Sequence, residues 1–112
     1  MLQKGQGILG KTRFVDGSYP KYPRTYLVVS VASDKIGILN VSSTAGKEHK
    51  LLFPSNRSIS NYDPPFKKDS FVKLDSLTYI TPAEASKFAV LHKGDCLDST
   101  ELQEIIDSIA VK

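Results

Sequence analysis

The run Pro23-Arg24-Thr25-Tyr26-Leu27-Val28-Val29-Ser30 sets a guanidinium at the mouth of a strongly β-forming segment. A guanidinium is a permanent cation whose planar fork of donors matches the oxygens of a phosphate. The preceding loop, Asp16-Gly17-Ser18-Tyr19-Pro20-Lys21-Tyr22, adds two tyrosine rings on which unpaired bases could stack. The same residues also describe an arginine in a surface ion pair at a strand start, and both readings stand.

Further along lie three consecutive hydroxyls, Ser42-Ser43-Thr44, and then His49 between Lys47 and Lys50. Hydroxyls can donate to a phosphate oxygen or relay a proton, although a Ser-Ser-Thr run is more often a solvated loop. His49 is the nearby group that ordinarily titrates close to neutrality, which suits a general acid or base. Its plain alternative is an exposed histidine at a strand edge. Lys11, Arg13, Lys21, Arg57, Lys67 and Lys68, with Lys47 and Lys50, could follow a single-stranded backbone while Tyr19 and Tyr22 take bases. Equally, Tyr22 and Tyr26 could fill the core and Lys67-Lys68 could be a solvated turn. His92 reads as structural. Two scattered histidines and the lone Cys96 have no metal-ligand spacing, so neither metal nor cofactor is expected.

These residues need a scaffold, and 112 residues suffice for one domain, residues 1–112, with a core that needs no disulfide. No run reaches the apolar length of a membrane span or a signal-peptide core, so the chain reads as cytoplasmic with no membrane partner. Asn40-Val41-Ser42 and Asn56-Arg57-Ser58 are then incidental sequons. The net charge of +3 hides an asymmetry: residues 1–81 hold 12 Lys and Arg against 6 Asp and Glu, whereas residues 82–112 hold 3 against 6. The basic part should face a polyanion and the acidic tail should lie away from it.

Turn residues recur at short intervals up to residue 80, which predicts a small antiparallel barrel or sandwich. Strands are expected at 8–14, 26–31, 36–41, 49–53 and 71–80. Ser33-Asp34-Lys35 turns the second into the third, and residues 42–48 form a loop. The consecutive Leu27-Val28-Val29 places the second strand at the sheet centre, buried on both faces. Residues 54–69, with Pro54, Pro64 and Pro65, should be mostly irregular and anchored by Ile59, Tyr62 and Phe66. The alternation of Val72 and Leu74 slips at Asp75-Ser76 before Leu77 and Tyr79, as a β-bulge would make it. Thr81-Pro82-Ala83-Glu84 is a capping box that starts a short helix at 82. Residues 88–91 extend that helix or form a short strand. Asp98-Ser99-Thr100-Glu101 is a second box, and Leu102, Ile105, Ile106 and Ile109 give residues 99–110 one apolar helical face. That face is expected to pack on the chain's own sheet, a partner being the alternative.

Several of these stretches, in order, resemble the MazF/PemK family of toxin endoribonucleases. Lys4-Gly5-Gln6-Gly7-Ile8 is similar to its opening Arg/Lys-Gly-Asp strand, with Gln6 in place of the acid. Residues 23–30 resemble its Arg-Pro-x-Leu-Val-Val-Ser signature, with Thr25 replacing proline. Ile38-Leu39-Asn40-Val41-Ser42 sits where the family has an apolar strand ending in threonine. Residues 69–77 resemble its Asp-Ser-x-x-x-Leu-Asp/Glu-Gln-Ile segment, with Ser76-Leu77-Thr78 where the family has Gln-Ile-Arg. Leu97-Asp98-Ser99-Thr100-Glu101-Leu102 matches the start of its closing helix. The resemblance covers nearly the whole chain, and the order and spacing of the pieces carry it.

The resemblance implies a mainly β, SH3-like small barrel over about 1–80 with a C-terminal amphipathic helix. It also implies a homodimer, neutralised by a cognate antitoxin, that cuts single-stranded RNA at short sequences without a metal. RNA supplies its own nucleophile, the 2′-hydroxyl, so an enzyme need only align it, stabilise charge on phosphorus and move protons. By resemblance Arg24 would bind the scissile phosphate and Ser42 would replace the family threonine, with Ser43 or Thr44 as alternatives. Two rivals belong to other classes: a non-catalytic SH3-like module that binds nucleic acid or protein, and a protein-directed toxin of the CcdB type.

Overall fold

The computed structural model describes residues 2–13 and 17–109. Phe14, at the end of the first expected strand, Asp16 of the arginine loop and Ala110 of the closing helix lie outside the described residues. Among the described residues seven antiparallel strands form one sheet: β1 (Gly7–Gly10), β2 (Arg24–Val31), β3 (Ile36–Ser43), β4 (Asn56–Ile59), β5 (Ser70–Lys73), β6 (Thr78–Ile80) and β7 (Ala89–Val90). Their order is β4-β5-β3-β2-β1-β7, and β6 also pairs with β3. No pairing joins β4 to β7 among the described residues. Helix α1 (Pro82–Ala85) and helix α2 (Ser99–Ser108) complete the fold.

β2 and β3 lie at the centre, as the apolar run predicts, and their alternation sorts side chains onto two cores. Leu27, Val29, Leu39, Val41 and Val72 meet Ile59, Phe66, Leu97, Leu102 and Ile105 on one face. Ile8, Tyr26, Val28, Ile36, Ile38 and Ile80 meet Ala85 and Phe88 on the other. Helix α2 therefore packs on its own sheet, and burying Leu102 and Ile105 contributes about 1.5–3 kcal/mol each.

The Thr81 box forms as expected: its hydroxyl accepts from the Glu84 amide, and the Glu84 carboxylate accepts from the Thr81 amide. Only half of the second box forms. Asp98 accepts from the Glu101 amide at 3.0 Å, but Glu101 is buried and turns elsewhere, accepting from the Asn61 amide at 3.1 Å.

Several expected elements differ. Residues 49–53 are not a strand but lie in a 3-10 turn, Glu48–Leu52, because Lys50 and Phe53 amides donate back to Lys47 and Lys50 carbonyls. Its local bonds leave Leu52 and Phe53 exposed. Within the segment expected to be irregular, Asn56–Ile59 pairs with β5 as the polar edge strand β4. Ile59 and Phe66 do anchor that segment in the core, with Tyr62 packed against them.

The long strand over 71–80 breaks at residues 74–77 into β5 and β6, which pair with opposite halves of β3. The register shift lies instead between Val28 and Ser30, in the β2–β3 pair. Ser42 and Ser43 belong to β3 rather than to a loop, and β1 stops at Gly10. Residues 88–91 resolve as the strand alternative at β7.

Candidate functional site

Strand register decides which polar groups share a face. Gly10 pairs with Arg24 and Ile8 with Tyr26. Across β3, Thr25 pairs with Val41 and Tyr26 with Asn40, so the next position sets Arg24 beside Ser42. Directly opposed residues in antiparallel strands have Cα atoms about 4.5–5.5 Å apart. Val41 pairs with Val72 and Ser42 with Phe71, which brings Lys73 level with Asn40. Arg24, Tyr26, Asn40, Ser42, Phe71 and Lys73 thus point to the same side of the sheet. Ser43 points to the opposite side.

This end of the face is polar and positively charged. Arg24 is exposed, and no carboxylate pairs with it among the described residues. Burial pushes the Lys73 ammonium below the usual lysine range. The charges of Lys50, Lys47 and Arg24, in that order, push it the same way, and Asp75 opposes them. Cations from two other segments thus converge around one half-buried lysine.

Beneath them lies a buried polar group: Tyr26 is 3% exposed, and its hydroxyl has no hydrogen-bond partner among the described residues. Burial raises its pKa, Arg24 pulls it down and Tyr19 adds to the rise. Asn40 is 6% exposed, and its carboxamide makes no hydrogen bond among the described residues. Such groups are costly unless something satisfies them.

Long-range bonds hold this arrangement in place. Where β5 leaves β3, the Ser76 hydroxyl accepts from the Asn40 amide at 2.8 Å and donates to the Lys73 carbonyl at 2.6 Å. The Asn56 carboxamide, from the residue that pairs with Lys73, donates to the Lys50 carbonyl at 2.9 Å. The lysine turn is thereby tied to the strand that presents Lys73. Phe88 lies edge-on to Tyr26, with ring centroids 5.9 Å apart, and closes the apolar end of the face over Gly10.

The other expected residues are distributed around this centre. A groove of about 440 Å³ opens past the edge of Ser42 and mainly on the opposite face, lined by Thr25, Ser43, Lys67, Lys68 and His92 among others. His92 is held by Asp95 at 2.9 Å on Nδ1 and by Asp63 at 3.5 Å on Nε2, consistent with a structural histidine. Thr44 is buried just beyond β3, its hydroxyl without a partner among the described residues. His49 is exposed on the lysine turn and makes no side-chain bond among the described residues. Arg13 donates to the Gly17 carbonyl at 3.0 Å and lies 5.9 Å from the centre of the Tyr19 ring. Lys11, Lys21, Tyr19 and Tyr22 are exposed, whereas Tyr26 is core.

Arg57 stands apart from the site. Its guanidinium contacts Glu104 at 2.8 Å and Glu101 at 3.5 Å, so these carboxylates occupy the fork that was expected to meet a phosphate.

Lys73, Asn40 and the Tyr26 hydroxyl are the participants that the reading of the residues passed over. One signal was present: in Phe71-Val72-Lys73, the lysine repeats the inward phase of Phe71. No known family's sequence model matches the chain, and no curated protein matches its sequence.

Proposed function

We propose that this protein is an endoribonuclease of the MazF/PemK kind, the toxin of a toxin-antitoxin pair, with an SH3-like barrel built on its antiparallel sheet. It acts in the cytoplasm as a homodimer, cuts single-stranded RNA at short sequences, and is neutralised by a cognate antitoxin. One observation carries the reading: Arg24, with no carboxylate on it among the described residues, stands beside Ser42 on a face where Lys47, Lys50 and Lys73 also converge. Four cations set against the single carboxylate of Asp75 call for a polyanion.

In this reading Arg24 grips the scissile phosphate bidentately and stabilises the charge that builds on its oxygens. Ser42, the hydroxyl of the three that the register sets opposite Arg24, donates to a non-bridging oxygen. Lys47 and Lys50 hold the neighbouring phosphates, and the groove with Lys67 and Lys68 receives the continuing strand. The nucleophile belongs to the substrate, so no metal is needed to generate one.

Purified protein should cut single-stranded RNA in the presence of EDTA and leave a 2′,3′-cyclic phosphate. Arg24→Ala should lower the rate by about 100-fold or more while the circular dichroism spectrum stays unchanged. A salt-dependent shift of intact RNA with no products would leave a binding module in its place.

A further inference from the structure

We propose that the Phe53 ring is a stacking platform for one unpaired base of the bound RNA, beside two phosphates held by Lys50 and Lys47; this role rests on the single-stranded RNA reading above. The ring is left in water: Phe53 is 55% exposed and Leu52 next to it is 83% exposed. A phenyl group held outside the core forgoes the free energy of burial, and adjacent apolar side chains on a surface mark a place where another molecule sits.

The backbone under the ring is tied at three-residue intervals. The Lys47 amide donates to the Thr44 carbonyl at 2.8 Å, Lys50 to Lys47 at 2.9 Å, Phe53 to Lys50 at 3.2 Å and Asn56 to Phe53 at 3.0 Å. The Asn56 carboxamide adds a bond to the Lys50 carbonyl at 2.9 Å, and Asn56 is itself fixed in β4 by pairing with Lys73. A side chain with so constrained a backbone has little freedom left to lose when a base settles on it. In a 3-10 turn side chains three apart eclipse, with a step of about 6 Å along the axis. Lys47 and Phe53 bracket the turn Glu48–Leu52 and Lys50 lies within it, so two cations and then a ring follow one side. That step is close to the distance between successive phosphates of an unpaired strand. Two phosphates can therefore meet the ammonium groups while the base of the next nucleotide turns onto the ring.

Charge separates this occupant from a second copy of the chain. A two-fold contact brings the same residues of both copies face to face, so a dimer closed through this patch would set Lys47 and Lys50 against their own duplicates. Glu48 is the carboxylate of the turn, and with it the segment is still net positive. Both lysines also lie near enough to Lys73 for their charges to act on its ammonium. A polyanion relieves that repulsion, whereas a symmetric protein contact would add to it.

The chain contains no tryptophan, so Phe53→Trp installs a single indole fluorophore at the platform. Titration with a single-stranded 2′-O-methyl oligoribonucleotide, which has no free 2′-hydroxyl and cannot be cut, should quench the indole as a base stacks on it. By fluorescence anisotropy Phe53→Ala should bind the same oligonucleotide roughly 10-fold to 100-fold more weakly. Leu52→Ala, which removes a more exposed apolar group but no ring, should bind as wild type does. Binding by Phe53→Trp without quenching, or equal losses in Leu52→Ala and Phe53→Ala, would overturn the platform and leave the RNA reading standing. Full RNA affinity in Phe53→Ala with a smaller sedimenting mass than wild type would overturn it too, and would assign the ring to a protein interface. Failure of the wild-type protein to bind or cut any single strand would overturn the RNA reading, and the platform would fall with it.

Discussion

The Ser76 hydroxyl takes the place of a strand partner for Asn40: it accepts the Asn40 amide proton at 2.8 Å at the point where β5 has turned away from β3. It sits where the resembling family has glutamine, and here it mends the break between β5 and β6. Ser76→Ala strands a buried strand amide, while the Lys73 carbonyl keeps only the Ser76 amide at 3.1 Å. The expected cost is about 1–3 kcal/mol in urea unfolding, with cleavage reduced beyond what the lower folded fraction explains.

Arg57 and Glu101 form a structural pair. Glu101 is 5% exposed and reaches Arg57 at 3.5 Å while accepting from Asn61. Arg57→Ala should therefore destabilise the fold by about 1–3 kcal/mol. RNA affinity, measured well below the unfolding temperature, should stay near wild type, opposite to the pattern expected of a phosphate-binding arginine.

Lys47 and Lys50 give a prediction in salt. For single strands the slope of log K against log salt changes by about 0.7 for each phosphate that the protein no longer neutralises. Lys47→Gln with Lys50→Gln should reduce that slope by about 1.4, read from fluorescence anisotropy at several salt concentrations. Lys11→Gln, farther from the lysine turn in the fold, serves as the comparison and should change it less.

Lys73 should make the fold less stable than it could be at neutral pH. Its proton is held less tightly in the folded than in the unfolded chain, so the unfolded state binds more protons as pH rises through the folded pKa. Stability contributed at this position therefore increases with pH from the folded pKa up to the ordinary lysine value. Lys73→Met should raise the melting temperature at pH 7, and the gain should shrink on going to alkaline pH. Differential scanning calorimetry across that range checks the sign.

Gly10 tests the apolar end of the same face. A Cβ there would meet Phe88 ring carbons at 2.6 Å. Gly10→Ala must displace the ring from Tyr26, at a cost of about 1–3 kcal/mol in thermal unfolding.

The parts legible in the sequence are those governed by local pattern. The apolar run of β2 announced a central strand, the Thr81 box announced α1, and the spacing of Leu102 and Ile105 announced a helix that packs inward. Arg24 was visible because it opens that central strand. Lys73 was not, because what sets it apart comes from Arg24, Lys47 and Lys50, residues far from it along the chain. β4 was hidden for a related reason: Asn56-Arg57-Ser58 has little strand propensity and owes its conformation to pairing with β5. The turn at Glu48–Leu52 was misread because Leu51-Leu52-Phe53 has a strand's composition, whereas its backbone bonds close locally.

The alternation along β2 has one more consequence. Arg24 and Tyr26 occupy the same phase as Val28, while Leu27 and Val29 fill the opposite core. Slipping the strand by a single position would swap Val28 with Leu27 and Val29 between two differently shaped cores and turn the guanidinium to the opposite face. The positive charge thus needs no anchor of its own: greasy neighbours several residues away, which never touch the substrate, prevent it from facing the wrong way.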